Sequence, residues 1–121
     1  MRYIKVLAVL SLLIGCAANN RPVQLISGAG PVYPIEARQA ALEGYVVVRY
    51  DVTETGAVTN AVVVRAEPAA VFDAAALAAV RSWRFNPAVT EGQARYTRAI
   101  ESTVTFALGD TSRYDRYDGN N

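Results

Sequence analysis

The stretch Phe72-Asp73-Ala74-Ala75-Ala76-Leu77-Ala78-Ala79-Val80-Arg81-Ser82-Trp83-Arg84-Phe85-Asn86-Pro87 decides how this 121-residue chain folds. Phe72, Ala76, Val80 and Trp83 recur at spacings of four, four and three, which is one face of an α-helix. Asp73 stands where a negative charge favours a helix N-terminus. Asn86-Pro87 bars continuation, because a residue before proline is pushed out of the α region. The spacing therefore predicts an amphipathic core helix that closes on the only tryptophan, with Phe85 and Trp83 as packing residues.

On the N-terminal side of this helix the chain alternates. Tyr45 to Thr53 places Val46, Val48, Tyr50 and Val52 on one face and Val47, Arg49 and Asp51 on the other, a half-buried strand. Glu54-Thr55-Gly56 reads as a turn, and a second strand from Ala57 to Ala66 is expected to bury Val58, Val62 and Val64. Further back, Pro31-Val32-Tyr33-Pro34 is a stiff lead into a short helix from Ile35 to Leu42, with Gly44 as its stop. On the C-terminal side, a last strand from about Tyr96 to Leu108 alternates Ile100, Val104, Phe106 and Leu108 with Glu101, Thr103 and Thr105.

Helix, hairpin, helix and strand make an α+β fold, with one antiparallel three-stranded sheet and both helices on one of its faces. A right-handed crossover through the second helix carries the last strand past the hairpin to lie beside its first strand, giving the spatial order 2-1-3. The last strand is then an edge with unpaired backbone groups.

The chain outside this domain reads differently. Met1 to Gly15 has a basic start (Arg2, Lys5) and an apolar run from Val6 broken only by Ser11, the pattern of a secretory signal peptide. The run is about 10 residues, half of what a spanning helix needs. Leu13-Ile14-Gly15-Cys16 resembles a bacterial lipoprotein signal-peptidase site, which implies cleavage before Cys16 and its lipidation. Acylation also accounts for a lone cysteine in an exported chain. Ala17, with no Asp there to retain the protein at the inner membrane, implies the periplasmic face of the outer membrane. Residues 16–30 read as the lipidated cysteine and a flexible linker, in which Val23, Leu25 and Ile26 could make a short edge strand or lie against the domain; its 14 residues after Cys16 reach at most about 50 Å. The domain runs 31–108, and 109–121 is a polar tail expected to lack fixed structure.

Charge and composition exclude several functions. Loss of Arg2 and Lys5 with the signal takes twelve basic residues to ten against eleven acidic, a net charge of −1, so no nucleic-acid partner is expected. Histidine is absent, and no glycine-rich phosphate loop or serine elbow occurs. Asp51, Glu54 and Asp73 have ordinary places at a strand end, a turn and a helix start. We expect no enzyme, no metal and no cofactor.

Tyr33-Pro34, Glu43-Gly44 leading into Val46 and Val48, Asp51-Val52 with Gly56-Ala57-Val58, and Phe72-Asp73, Ala75-Ala76, Val80 and Trp83-Arg84-Phe85-Asn86-Pro87-Ala88 together resemble the carboxy-terminal domain of TonB proteins. The resemblance covers about Pro31 to Leu108. It implies a domain that binds an extended segment of a TonB-dependent outer-membrane transporter by adding it to the last strand. The binding residues implied are Tyr33 and Pro34 with Arg95, Tyr96, Thr97, Arg98, Ala99, Ile100, Glu101, Thr103 and Thr105. Energy-transducing members carry an inner-membrane helix and a long Pro-rich spacer, and the stretch before Pro31 shows neither pattern. The expected role is an accessory of TonB-linked uptake, held to the membrane by lipid. The alternative is an envelope adaptor with no transport role, its edge paired with a second copy as a homodimer.

Overall fold

The computed structural model describes residues 19–109. The expected signal peptide, Cys16 and nearly all of the polar tail lie outside the described residues.

The elements in chain order are β1 (Gln24–Ser27), α1 (Ile35–Gln39), β2 (Gly44–Val52), β3 (Val58–Glu67), α2 (Asp73–Ser82), β4 (Arg84–Asn86), β5 (Ala88–Thr90), β6 (Gln93–Arg95) and β7 (Thr97–Phe106). The main sheet has the order β3-β2-β7, antiparallel throughout, which is the 2-1-3 arrangement the connectivity demands. Val46, Val48, Tyr50 and Val52 of β2 are buried on one face. Ala37 of α1, Phe72, Ala76 and Val80 in and beside α2, and Val104 and Phe106 of β7 complete one core with them. Both helices thus cover the same side of the sheet.

Three local expectations are corrected. First, β3 turns its other residues inward: Ala61, Val63 and Ala66 pack on the core with Val58, while Val62 and Val64 are 46% and 39% exposed. The cause is a pair of bulges. Val47 pairs with Arg65 but Val48 with Val63, leaving Val64 as the extra residue, and a second irregularity falls between Arg49 and Asp51. Each extra residue inverts the in-out alternation of the strand.

Second, proline does not end α2. The helix stops at Ser82, whose hydroxyl donates to the Ala79 carbonyl at 2.6 Å, and Trp83 is already extended at φ −69°, ψ 148°. What takes over the backbone is strand pairing: Phe85 N–H donates to the Gly56 carbonyl at 2.9 Å, and β4 pairs with β1. Likewise α1 stops before Gly44. Ala41 adopts the left-handed turn at φ 52° and Leu42 N–H reaches the Ala37 carbonyl at 2.9 Å, the bond pattern of a Schellman closure made without glycine.

Third, the segment expected as a flexible linker is bound to the domain throughout its described residues, and of the two readings of Val23, Leu25 and Ile26 the short strand is the one formed. β1 pairs with β4 through Gln24 to Asn86 and Leu25 to Phe85, and Arg21 bridges Val89 in the same antiparallel register. In that register Val23 faces Pro87, and with Pro22 next to it the ladder lacks two donors and is interrupted there. β5 also pairs with β6 across the two-residue turn Glu91-Gly92, both at positive φ (53° and 78°), the geometry that suits tight hairpins. Trp83 is consequently half-buried. It meets Tyr50 edge-on at 6.1 Å and lies against Gly28 so closely that a side chain at Gly28 would collide with the indole.

Candidate binding edge

β7 is held by β2 on one side only, with residues paired from Gly44↔Phe106 to Val52↔Thr97. Ten residues at about 3.4 Å each make an edge on the order of 30 Å long. Along it the side chains of Arg98, Ala99, Glu101, Thr103 and Thr105 are exposed, while those of Thr97 and Ile100 are half-buried. Ser102 is fixed inward by a 2.9 Å hydrogen bond with the Tyr50 hydroxyl.

Two carboxylates from the ends of β2 tie down the two ends of this edge. Glu43 accepts the Leu108 N–H at 2.7 Å. At the other end, Asp51 accepts from Ala99 N–H (2.9 Å), the Tyr96 hydroxyl (2.7 Å) and the Asn60 amide (3.0 Å). Ala99 and Asn60 are both left-handed, at φ 55° and 53°, so one carboxylate secures a kink in each neighbouring strand. Non-glycine residues adopt that conformation only at a cost, which the three bonds offset. Composition showed Asp51 as an ordinary strand-end residue. The signal for a clamp was an acidic residue placed just outside, or at the end of, each terminus of a valine-rich strand.

These bonds go to the ionised form. The Asn60 amide chiefly, then Ala99 N–H and the Tyr96 hydroxyl, lower the Asp51 carboxyl from its ordinary 3.8 to about 2. The same contact with Asp51 raises the Tyr96 hydroxyl above its usual range. Because the folded value lies below the unfolded one, this stabilisation is complete above about pH 4 and disappears as pH falls towards about 2. Asp51→Asn should therefore lower the melting midpoint at neutral pH and flatten its decline between those two pH values. An unchanged acid limb in thermal melts would remove Asp51 as a pH-dependent clamp.

The other anticipated binding residues fall elsewhere. Tyr33 stands edge-on to Phe72 at 5.5 Å and to Phe106 at 5.8 Å, its hydroxyl donates to the Leu42 carbonyl, and Arg38 lies 5.3 Å from its ring centre. Pro34 opens α1, its carbonyl accepting from Arg38 N–H at 2.9 Å. Arg95 belongs to β6, outside the main sheet, and is exposed. Tyr96 joins the Asp51 cluster, with Arg98 5.8 Å from its ring centre. The structure thus groups residues 96–105 along one edge and places Tyr33 in the aromatic packing at the far end of β7. Among the described residues there is no cluster of metal-ligating side chains and no helix long and apolar enough to cross a membrane.

Comparison with known proteins agrees with this architecture. The family described as Gram-negative bacterial TonB protein C-terminal matches residues 29–108. Protein TonB of Yersinia enterocolitica is 33% identical over 101 residues, which cover 84% of this chain and 36% of that protein. Protein TonB of Escherichia coli K12 is 40% identical over 57 residues, covering 47% and 24%. The chain therefore spans about a third or less of the length of these two relatives. Among solved structures, the Pseudomonas aeruginosa TonB C-terminal domain superposes with a TM-score of 0.63 at 27% identity, covering 76% of this chain and 92% of that one. The TonB2 protein from Vibrio anguillarum gives 0.56 at 27% identity, covering 76% and 87%.

Proposed function

Because the chain belongs to the family of Gram-negative bacterial TonB C-terminal domains, we propose that it is a non-enzymatic periplasmic binding module of TonB-linked transport. It takes an extended segment of an outer-membrane transporter, or of another envelope partner, onto the outer edge of β7 as an added strand. Main-chain hydrogen bonds supply the affinity in this mode, and alternate side chains supply the selection. The observation that carries the reading is a ten-residue strand with one neighbour whose two ends are both clamped from β2. An edge fixed at both ends loses little conformational entropy when a partner strand joins it.

Thr103 is exposed midway along that edge, and proline cannot donate to an incoming strand. With the protein from Ala17 onward as bait in envelope extracts, Thr103→Pro should recover roughly two- to tenfold less partner, the loss expected for one hydrogen bond's worth of binding energy. A variant that melts like the parent and still captures the partner would remove strand addition at β7. Recovery of transporters supports the transport role. A protein that captures none and dimerises through the same edge is the envelope adaptor instead.

Anchoring to the periplasmic face of the outer membrane through lipidated Cys16 is the second element of the proposal. It is supported by the Leu13-Ile14-Gly15-Cys16 pattern and by Ala17 after it. Several acyl chains together give stable attachment. Cys16→Ser should move the protein from the membrane fraction to the soluble one, and a variant that stays with membranes would exclude the lipid.

A further inference from the structure

We propose that the domain sits directly on the lipid surface, with the Glu91-Gly92 end of the β5–β6 hairpin against the headgroups, and does not swing on a tether. The inference rests on the Cys16 anchor proposed above. It is carried by the way the N-terminal segment is bound. Gly92 N–H donates to the Asn19 carbonyl at 3.1 Å, and Glu91 N–H to the Asn20 side chain at 2.9 Å. Arg21 and Val89 exchange both backbone bonds, at 2.9 and 2.8 Å. From there the same register continues into β1 and β4, and Gly28 and Ala29 close over Trp83, whose indole N–H lies 3.4 Å from the Ala29 carbonyl.

The greatest possible distance to the anchor follows from chain length. Between Cys16 and the first described residue, Asn19, stand only Ala17 and Ala18, so the anchor lies within about 11 Å of Asn19. That is the scale of a headgroup layer and far below the about 50 Å reach of an undocked linker. Asn19 is bonded to Gly92, so the hairpin turn must lie at the same depth. The surface there is formed by the exposed polar residues Asn19, Asn20, Glu91 and Gln93, with exposed Gly92 at the turn. Such a surface suits contact with hydrated headgroups and not insertion into hydrocarbon. β7 begins at Thr97, directly after β6, so the start of the binding edge is tied in sequence to this hairpin.

The test uses the full lipidated protein in phosphatidylethanolamine–phosphatidylglycerol vesicles. With the thiol of Cys16 acylated, Gln93→Cys or Ala69→Cys supplies the single free thiol for a fluorophore. Ala69 follows Glu67, which pairs with Tyr45 at the end of the sheet remote from Gly56 and Phe85. A headgroup-linked quencher should remove most of the emission at position 93 and leave that at position 69. A ten-residue Gly/Ser insertion between Ala18 and Asn19 should restore emission at 93 while the protein still floats with vesicles. Parent protein that floats with both labels equally bright overturns the flush arrangement and leaves the anchor standing. Protein that does not float overturns the anchor, and the arrangement with it.

Discussion

Phe72→Ala is expected to cost roughly 3–5 kcal/mol of stability, the range for deleting a fully buried aromatic ring. Phe72 is completely buried and stacks on Phe106 with ring centres 4.3 Å apart and planes 17° from parallel. Tyr33 abuts both rings edge-on, so three aromatic contacts converge on this side chain and its neighbour. Pairs of this kind add about 0.5–1.5 kcal/mol beyond their buried area. Phe72 also sits just before α2, and its carbonyl accepts the Ala76 N–H at 2.9 Å. The void would therefore open where the helix start, α1 and the end of β7 meet. For a domain of this size the melting midpoint should fall by about 15 °C or more. Phe72→Leu, which refills most of the volume, should fall much less. Circular dichroism melts of the two variants decide the matter: equal midpoints for parent and alanine variant would show that this ring is not the keystone of the core. The functional consequence is separable, because Phe106 is the last residue of the proposed binding edge. At temperatures where the alanine variant is still folded, its partner affinity should drop through fraying of that end.

The main sheet and α2 were legible because their signals are local and long. Nine residues of β2 alternate with an apolar set on one face, and ten residues of α2 repeat at helical spacing. The edge position of β7 followed from handedness and needed no contact information. What escaped has a common cause. β4, β5 and β6 are three residues each, too short to carry a period, and Pro22 and Pro87 read as breaks; β1, at four residues, was legible only as one of two readings of Val23, Leu25 and Ile26. These strands exist only because distant segments meet in register, as Leu25 and Phe85 do. The inverted face of β3 is another long-range effect. No glycine marks the bulges at Asn60 and Ala99, because Asp51 supplies from across the sheet what glycine supplies locally. Tyr33 shows the same limit for the site: its motif is distinctive, yet its ring and hydroxyl are engaged by Phe72, Phe106 and Leu42.

Gly56 is where the two parts of the molecule join, and Gly56→Ala should be comparably severe. Its φ of 85° lies in the left-handed region, where a side chain costs about 1–2 kcal/mol. The turn needs that conformation: Gly56 N–H donates to the Thr53 carbonyl and Thr53 N–H to Ala57, both at 2.9 Å. A second demand comes from outside the turn. The Gly56 carbonyl accepts Phe85 N–H at 2.9 Å and Ala57 bridges Arg84, so β4 passes so close that a Cβ would run into the Phe85 carbonyl oxygen. Relief of that collision requires β4 to move away, which breaks the Phe85 bond and uncovers the buried Phe85 ring. The combined loss should reach about 3 kcal/mol. Asparagine separates the two causes, since it tolerates left-handed angles but carries the same Cβ. If backbone conformation alone were at stake, Gly56→Asn would melt near the parent. If close approach dominates, it should melt near Gly56→Ala. The second result also bears on membrane orientation, because β4 carries β1 and the Asn19–Arg21 contacts with it. A domain whose β4 has been levered from the β2–β3 turn keeps the proposed anchor and partner edge but loses the fixed angle between them. In the vesicle experiment, the label at position 93 should then stay quenched with Gly56→Asn present, while position 69 ceases to be uniformly protected.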